Sequence, residues 1–302
     1  MVIKSFAKLN LYLRVLSKRK DNFHNLDTLF ARIDLADTII LKGRKDSLIR
    51  IKCASRRVPK DETNLCFRAA ELLRQELKIN SGLEIEIKKH IPVGAGLGGG
   101  SSNAASVLLG LNKYWHLNLS KAKLAVLAAK LGSDVAFFVH DVKFALGSQR
   151  GDKIKPLTSL RNTKLWFILV YPGIKVSTPL IYEKFDLRLP GSHAALTSRG
   201  DISELTRQPH NAKILFSELL KDGSRIDVKC LFNDLEAITI SLYPVVNRVK
   251  QAFFALGLER VIMSGSGSTV FAICHCRAQA QDLSNKLRRE HKSWKIFLSS
   301  AI

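Results

Sequence analysis

Pro92-Val-Gly-Ala-Gly-Leu-Gly-Gly-Gly-Ser-Ser-Asn-Ala-Ala105 places five glycines, at 94, 96, 98, 99 and 100, directly before a helical run. Glycine reaches positive φ and lets backbone N–H groups approach a ligand that any Cβ would hold away. The unpaired amides of a first helical turn add a fixed partial positive charge, so the stretch reads as a cradle for phosphate. A Walker loop requires Gly-Lys-Ser/Thr, and here Gly100 is followed by Ser101-Ser102-Asn103. Gly94, Gly96 and Gly99 satisfy G-x-G-x-x-G, but a dinucleotide site also wants an acid about 20 residues on, and none lies between Glu86 and Asp134. What remains is a polyphosphate loop opening a helix, with Ser101 or Ser102 expected to be free to cap the helix or approach a metal. The alternative is a glycine-rich turn without a ligand.

Outside the loop, 302 residues suffice for one large or two ordinary domains. The longest apolar runs, such as Leu165 to Tyr171, are strand-length, well short of the ~18 residues of a membrane helix. A strand beginning at Met1-Val-Ile-Lys leaves no room for a leader, so a cytoplasmic protein with no membrane partner is expected. Five cysteines include no C-x-x-C pair; Cys274-His-Cys276 sits in an apolar alternating stretch and reads as core thiols rather than a metal site. The net charge of +22 attracts anions generally, from nucleotides to nucleic acid, though a solvated basic surface accounts for most of it.

Along the chain, residues 1 to 18 alternate as a strand interrupted by Lys8 and Asn10. A lysine in an apolar strand either meets an anionic partner or lies on the solvent face. Residues 33 to 53 read as strands broken at Lys42-Gly43. Asp61-Glu-Thr-Asn64 caps a helix to about Leu77, and Leu83 to Ile87 is a strand feeding the loop. A helix opens at Ser120 and stops at Leu131-Gly132, before Ser133-Asp134 and an apolar run. Beyond Leu165 to Tyr171, residues 186 to 210 are loop-like, with Pro190-Gly191, Ser198-Arg-Gly200 and Pro209. Helices near 212 to 221, 241 to 256 and 278 to 290 alternate with strands 270 to 274 and 294 to 298. This predicts an α+β chain with residues 1–160 in one domain and 161–302 in a smaller α+β domain.

Asp134, isolated among basic and apolar residues beside a phosphate loop, is a candidate general base, against the alternative of a capping Asp. Lys8 is its natural partner, able to keep the carboxylate ionised and to neutralise a moving phosphoryl group.

With the glycine loop, Ala7-Lys8-Leu-Asn10 and a late Ser264-Gly-Ser-Gly267, the chain resembles the GHMP kinase superfamily of small-molecule kinases. Within it, Lys18-Arg-Lys-Asp-Asn-Phe-His24 and Leu131-Gly-Ser-Asp134 are similar to the branch acting on 4-diphosphocytidyl-2-C-methyl-D-erythritol in the non-mevalonate isoprenoid route. The resemblance implies an N-terminal domain like ribosomal protein S5 domain 2 and a C-terminal ferredoxin-like domain. ATP, with Mg²⁺, would bind under Pro92, Gly94, Ala95, Gly96, Leu97, Gly98, Gly99, Gly100, Ser101 and Ser102, its adenine near Asn64 and Leu65. Lys8 and Asp134 would be the catalytic pair and Asn10 would bind substrate near the reacting hydroxyl. His24 would hydrogen-bond the cytosine edge, with Phe23 and Tyr182 stacking on the ring. Thr178, Gly265 and Ser266 would close the site around the substrate. Phe23 stands where the family usually has Tyr, and Asn22 where it usually has Gly; stacking needs only the π face. The implied partner is a small molecule, and the chain is expected to be a monomer or weak homodimer.

Two rivals stand beside this. A mevalonate- or homoserine-type kinase would have no use for the cytosine clamp at Phe23-His24. A nucleic-acid-binding module is motivated by the charge, but no basic run is interleaved with aromatics.

Overall fold

The two longest strands set the frame. In the computed structural model, which describes residues 1–187, 212–221 and 230–302, β1 (Val2–Lys18) and β2 (His24–Arg44) form an antiparallel hairpin with register shifts at Phe6/Ala7, Asn10/Tyr12 and Val15/Lys18. β3 (Ile49–Cys53) and β4 (Gly82–Lys88) extend the sheet beside the far half of β2, in the order β3-β4-β2-β1-β8, where β8 is Phe232–Asn233. β5 (Phe144–Ser148) pairs with the near half of β2 and with β6 (Lys153–Pro156). The expected break at Lys42-Gly43 does not occur: both residues pair with β4, opposite Glu84 and Leu83, so the ladder carries β2 through to Arg44.

Four helices cover one face of this sheet: α1 (Leu65–Leu77), α2 (Gly99–Tyr114), α3 (Lys121–Leu131) and α4 (Ser133–His140). The Asn64 side chain accepts from the Cys66 amide at 2.8 Å and Ser120 from the Lys123 amide at 3.2 Å, satisfying first-turn donors as both sequences predicted. Gly132 divides α3 from α4, so Ser133-Asp134 opens a helix and not only an apolar run.

The second sheet, β11-β7-β10-β9, is antiparallel and consists of β7 (Trp166–Tyr171), β9 (Val261–Met263), β10 (Val270–Cys274) and β11 (Lys295–Ser300). With the helices between them it has the ferredoxin-like strand order. α5 (Thr178–Asp186), unforeseen in the sequence, has Pro179 in its first turn, where a missing N–H costs nothing. α6 (Ala212–Lys221), α7 (Glu236–Leu242), α8 (Val245–Ala255) and α9 (Arg277–Glu290) complete the described elements. Pro190-Gly191, Ser198-Arg-Gly200 and Pro209 lie outside the described residues. Alternation divides β7 and β10 between two cores: Phe167, Leu169, Phe271 and Ile273 meet Leu9, Leu11 and Ile33 of the first sheet, while Ile168, Val170 and Ala272 meet α8 and α9. Cys274 is buried in β10 but Cys276 is exposed at the start of α9, so the pair is split by the strand end. Burial pushes the Cys274 thiol up to about 12. The chain is α+β throughout.

Candidate active site

Because successive strand residues face opposite ways, Leu9 and Leu11 turned into the inter-sheet core leave Lys8 and Asn10 on the other face, toward the glycine loop. Lys8 is only 4% exposed, so the solvent-face alternative fails; its Nζ donates to Asn10 Oδ1 at 2.6 Å and stands 3.3 Å from Asp134 Oδ2. Asn10 Nδ2 donates to Thr28 Oγ1 at 2.9 Å, and that hydroxyl donates to Tyr12 O at 2.6 Å, which fixes the carboxamide so that its oxygen faces the ammonium. Asp134, in the first turn of α4, keeps 33% of its side chain exposed. An ammonium shared between a carboxamide oxygen and a carboxylate leaves its third hydrogen for an external anion, while the carboxylate retains lone pairs to take a proton.

The glycine loop runs between these residues and the second glycine turn. Gly96 (φ +78°) passes so close to that turn that a Cβ on it would lie 2.0 Å from Ser264 O. Ser264 Oγ donates to Gly96 O at 3.0 Å and accepts from the Asn10 amide at 3.3 Å, tying both glycine turns to β1. Asn233 Nδ2 donates to the carbonyls of Met263 and Gly265, each at 2.8 Å, and the Thr178 and Ser266 hydroxyls meet at 2.7 Å. Gly98, in the left-handed region at φ +66°, caps α2 without a side-chain bond, so the amides at its N-terminus face an open cavity. Behind the loop, fully buried Asp37 accepts from the His90 and Ile91 amides at 2.7 and 2.9 Å, from Asn103 Nδ2 at 2.9 Å and from Lys89 Nζ.

The cavity has a volume of about 970 Å³ and is lined by every candidate residue read from the sequence except Ser102. Ser102 is buried with its hydroxyl 2.8 Å from that of Ser5, because α2 starts at Gly99 and its fourth residue already faces β1. Of Ser101 and Ser102, one of which was expected to be free, Ser101 lines the cavity and the Ser102 side chain does not.

At the other end, Phe23 is 51% exposed beneath the Arg150 guanidinium, 5.1 Å from its ring centroid, and Asn22 holds a left-handed turn at φ +63°, a conformation that Asn tolerates better than most residues. Tyr182 stacks on His24 with centroids 5.2 Å apart, and among the described residues its ring makes no contact with that of Phe23. Burial first, then the charges of Asp134 and Asp234, push the Tyr182 phenol up. Asp186 accepts from His24 Nε2 and from Lys18 Nζ, each at 2.6 Å. Thr28, Arg57, Arg150 and Asp186 were not singled out in the sequence, and Ser264 only as the start of the second glycine turn; Asp186 shares a helix with Tyr182, but nothing local marks it as facing His24. Among the described residues no three His, Cys, Asp or Glu side chains group to hold a metal ion.

Residues 64–141 match the GHMP kinases N terminal domain and residues 209–293 the GHMP kinases C terminal model. A 4-diphosphocytidyl-2-C-methyl-D-erythritol kinase of Shouchella clausii is 40% identical over 286 residues, covering 95% of this chain and 90% of that protein. One of Gloeothece citriformis is 39% identical over 287 residues, covering 93% and 89%. A crystal structure of 4-(cytidine 5'-diphospho)-2C-methyl-D-erythritol kinase superposes with TM-score 0.78 at 31% identity over 99% of this chain and 98% of that one.

Proposed function

We propose the reaction on the footing that this chain belongs to the GHMP kinases, and within them to the family of 4-diphosphocytidyl-2-C-methyl-D-erythritol kinases: it transfers the γ-phosphoryl group of ATP to the C2 hydroxyl of that cytidyl alcohol, giving the 2-phosphate and ADP. The observation that carries the reading is that one cavity holds both the glycine loop with the bare α2 N-terminus and the Lys8–Asp134 pair, with His24, Phe23 and Tyr182 at its far end.

The triphosphate lies along Gly94 to Ser101, where backbone amides and the helix terminus favour its charge, and the adenine lies toward Asn64 and Leu65. Asp134 takes the proton as the substrate oxygen forms its bond to phosphorus; the bond from the γ-phosphorus to the bridging oxygen breaks, and its electron pair leaves with ADP. Lys8, held by Asn10 and beside Asp134, offers its remaining hydrogen to the phosphoryl oxygens. Phe23 and Tyr182 stack on the cytosine, His24 meets its edge, and Thr178, Gly265 and Ser266 enclose the polyol and its phosphates. Mg²⁺ fits as part of the ATP complex: this ion is commonly held by one or two carboxylates plus phosphate oxygens, and Asp134 is the carboxylate at that end of the cavity. The water-soluble anionic substrates support a cytoplasmic reaction.

The test is ADP release with 4-diphosphocytidyl-methylerythritol, mevalonate and homoserine as acceptors, for wild type and Asp134→Asn. Turnover of the cytidyl alcohol alone, with kcat reduced about 10²–10⁴-fold in the variant, is expected. Turnover of another acceptor, or none, overturns the substrate assignment.

A further inference from the structure

Beyond the cytosine edge contact of His24, on which this inference rests, something must decide which hydrogen that ring presents. Uracil and cytosine have the same shape and stack alike; they differ on one edge, at N3, a bare acceptor in cytosine and an N–H in uracil, and at C4, where cytosine carries a donor amine and uracil an acceptor oxygen. A neutral imidazole can be either donor or acceptor at a given nitrogen, so an unconstrained histidine would accept both bases.

The constraint is on the page. His24 Nε2 lies 2.6 Å from Asp186 Oδ1, and an ionised carboxylate only accepts, so the hydrogen is on Nε2. Asp186 is kept ionised despite its partial burial by hydrogen bonds from Lys18 and His24, which hold its carboxyl below the ordinary range. Lys18 Nζ, 2.6 Å from the other oxygen, supplies the counter-charge to the carboxylate. Tyr182 stacks against the imidazole face and Phe185 meets the ring in a T-shaped contact, and both favour this ring orientation. Among the described residues Nδ1 has no hydrogen-bond partner, and the ring lines the cavity.

We infer that Asp186 is a positioning residue for base choice: by holding the hydrogen on His24 Nε2 it leaves Nδ1 a bare acceptor that receives the amine of cytosine and repels the carbonyl of uracil. Lys18 balances the carboxylate, and α5, which carries Tyr182, is pinned by the same contact, so the stacking ring and the edge reader are set together.

Nitrogen-15 spectra of His24 in the protein alone, assigned by comparison with His24→Gln, test the first half without any turnover. The expected signature is the Nε2–H form with Nδ1 bare; hydrogen on Nδ1, as the other tautomer or as imidazolium, overturns the inference. The second half compares ADP release with the cytidyl alcohol and its uridyl analogue for wild type and Asp186→Asn, whose amide can donate to Nε2 and move the ring hydrogen to Nδ1. The cytidine-to-uridine ratio of kcat/KM is expected to fall roughly tenfold or more, the size of one misplaced hydrogen bond, with KM carrying the change. A variant that retains the wild-type ratio overturns the assignment of Asp186 while leaving the kinase reading intact, whereas a wild type that ignores the cytidyl alcohol sinks that reading instead.

Discussion

Lys8 and Asn10 are conspicuous because an apolar strand has no reason to carry them unless something receives them, and the structure supplies Asn10 Oδ1 and Asp134 for the ammonium and Thr28 Oγ1 for the carboxamide, leaving one ammonium hydrogen toward the cavity. Asp234 behaves differently. It accepts from the Val15 amide at 2.6 Å, joining β8 to β1, yet desolvation outweighs that bond and the Arg14 charge and raises its carboxyl above the ordinary value. A carboxyl raised in the folded state costs stability while ionised, at pH above its folded value, and the cost vanishes as pH falls to the unfolded value. Urea unfolding of Asp234→Asn and wild type is therefore expected to show the variant gaining more, or losing less, at pH 7 than at pH 4. An equal difference at both would mean that the carboxylate is not strained by burial. Which polar residues line the cavity was partly legible at this scale; which of Ser101 and Ser102 stays free was not, because only the exact start of α2 turns Ser102 toward Ser5.

The two glycine turns act as one element. Gly96 and the turn from Ser264 to Gly267 are 168 or more residues apart in sequence, and the backbone of one occupies the space where a side chain of the other would stand. Gly96→Ala would place a Cβ 2.0 Å from Ser264 O at a φ of +78°, so about 1–3 kcal/mol of stability and most of the ATP-dependent activity should be lost, read by thermal unfolding and ADP release. Unchanged unfolding with unchanged KM for ATP would mean that the turns move independently. The first turn was legible from composition and from the apolar helix after it. The contact between turns was not, because hydrogen bonds across such a separation leave no periodicity in either segment.

At the scale of the whole molecule, the chain carries a net charge of +22 and encloses the cavity proposed above to take two anions. Many of the cations are paired, as Lys52 is with Glu84 and Lys18 with Asp186, but the excess leaves a long-range positive field. Raising ionic strength from ~0.01 M to ~0.15 M shortens the screening length from about 30 Å to about 8 Å, so kcat/KM for the anionic substrates should fall several-fold while kcat changes little. A flat kcat/KM would leave the charge without a role in capture. The residues themselves determined the glycine turn that opens α2, the α+β class, most helix and strand positions and the pairing of Lys8 with Asp134, because each follows from local periodicity, capping or a residue out of keeping with its neighbours. Only the tertiary structure decided that Ser102 turns inward, that β2 runs unbroken past Gly43, and that Asp186 reaches His24 across 162 residues of chain. Those outcomes depend on which surfaces meet when the two sheets and α5 pack, and a one-dimensional pattern records what a segment buries without recording what it is buried against.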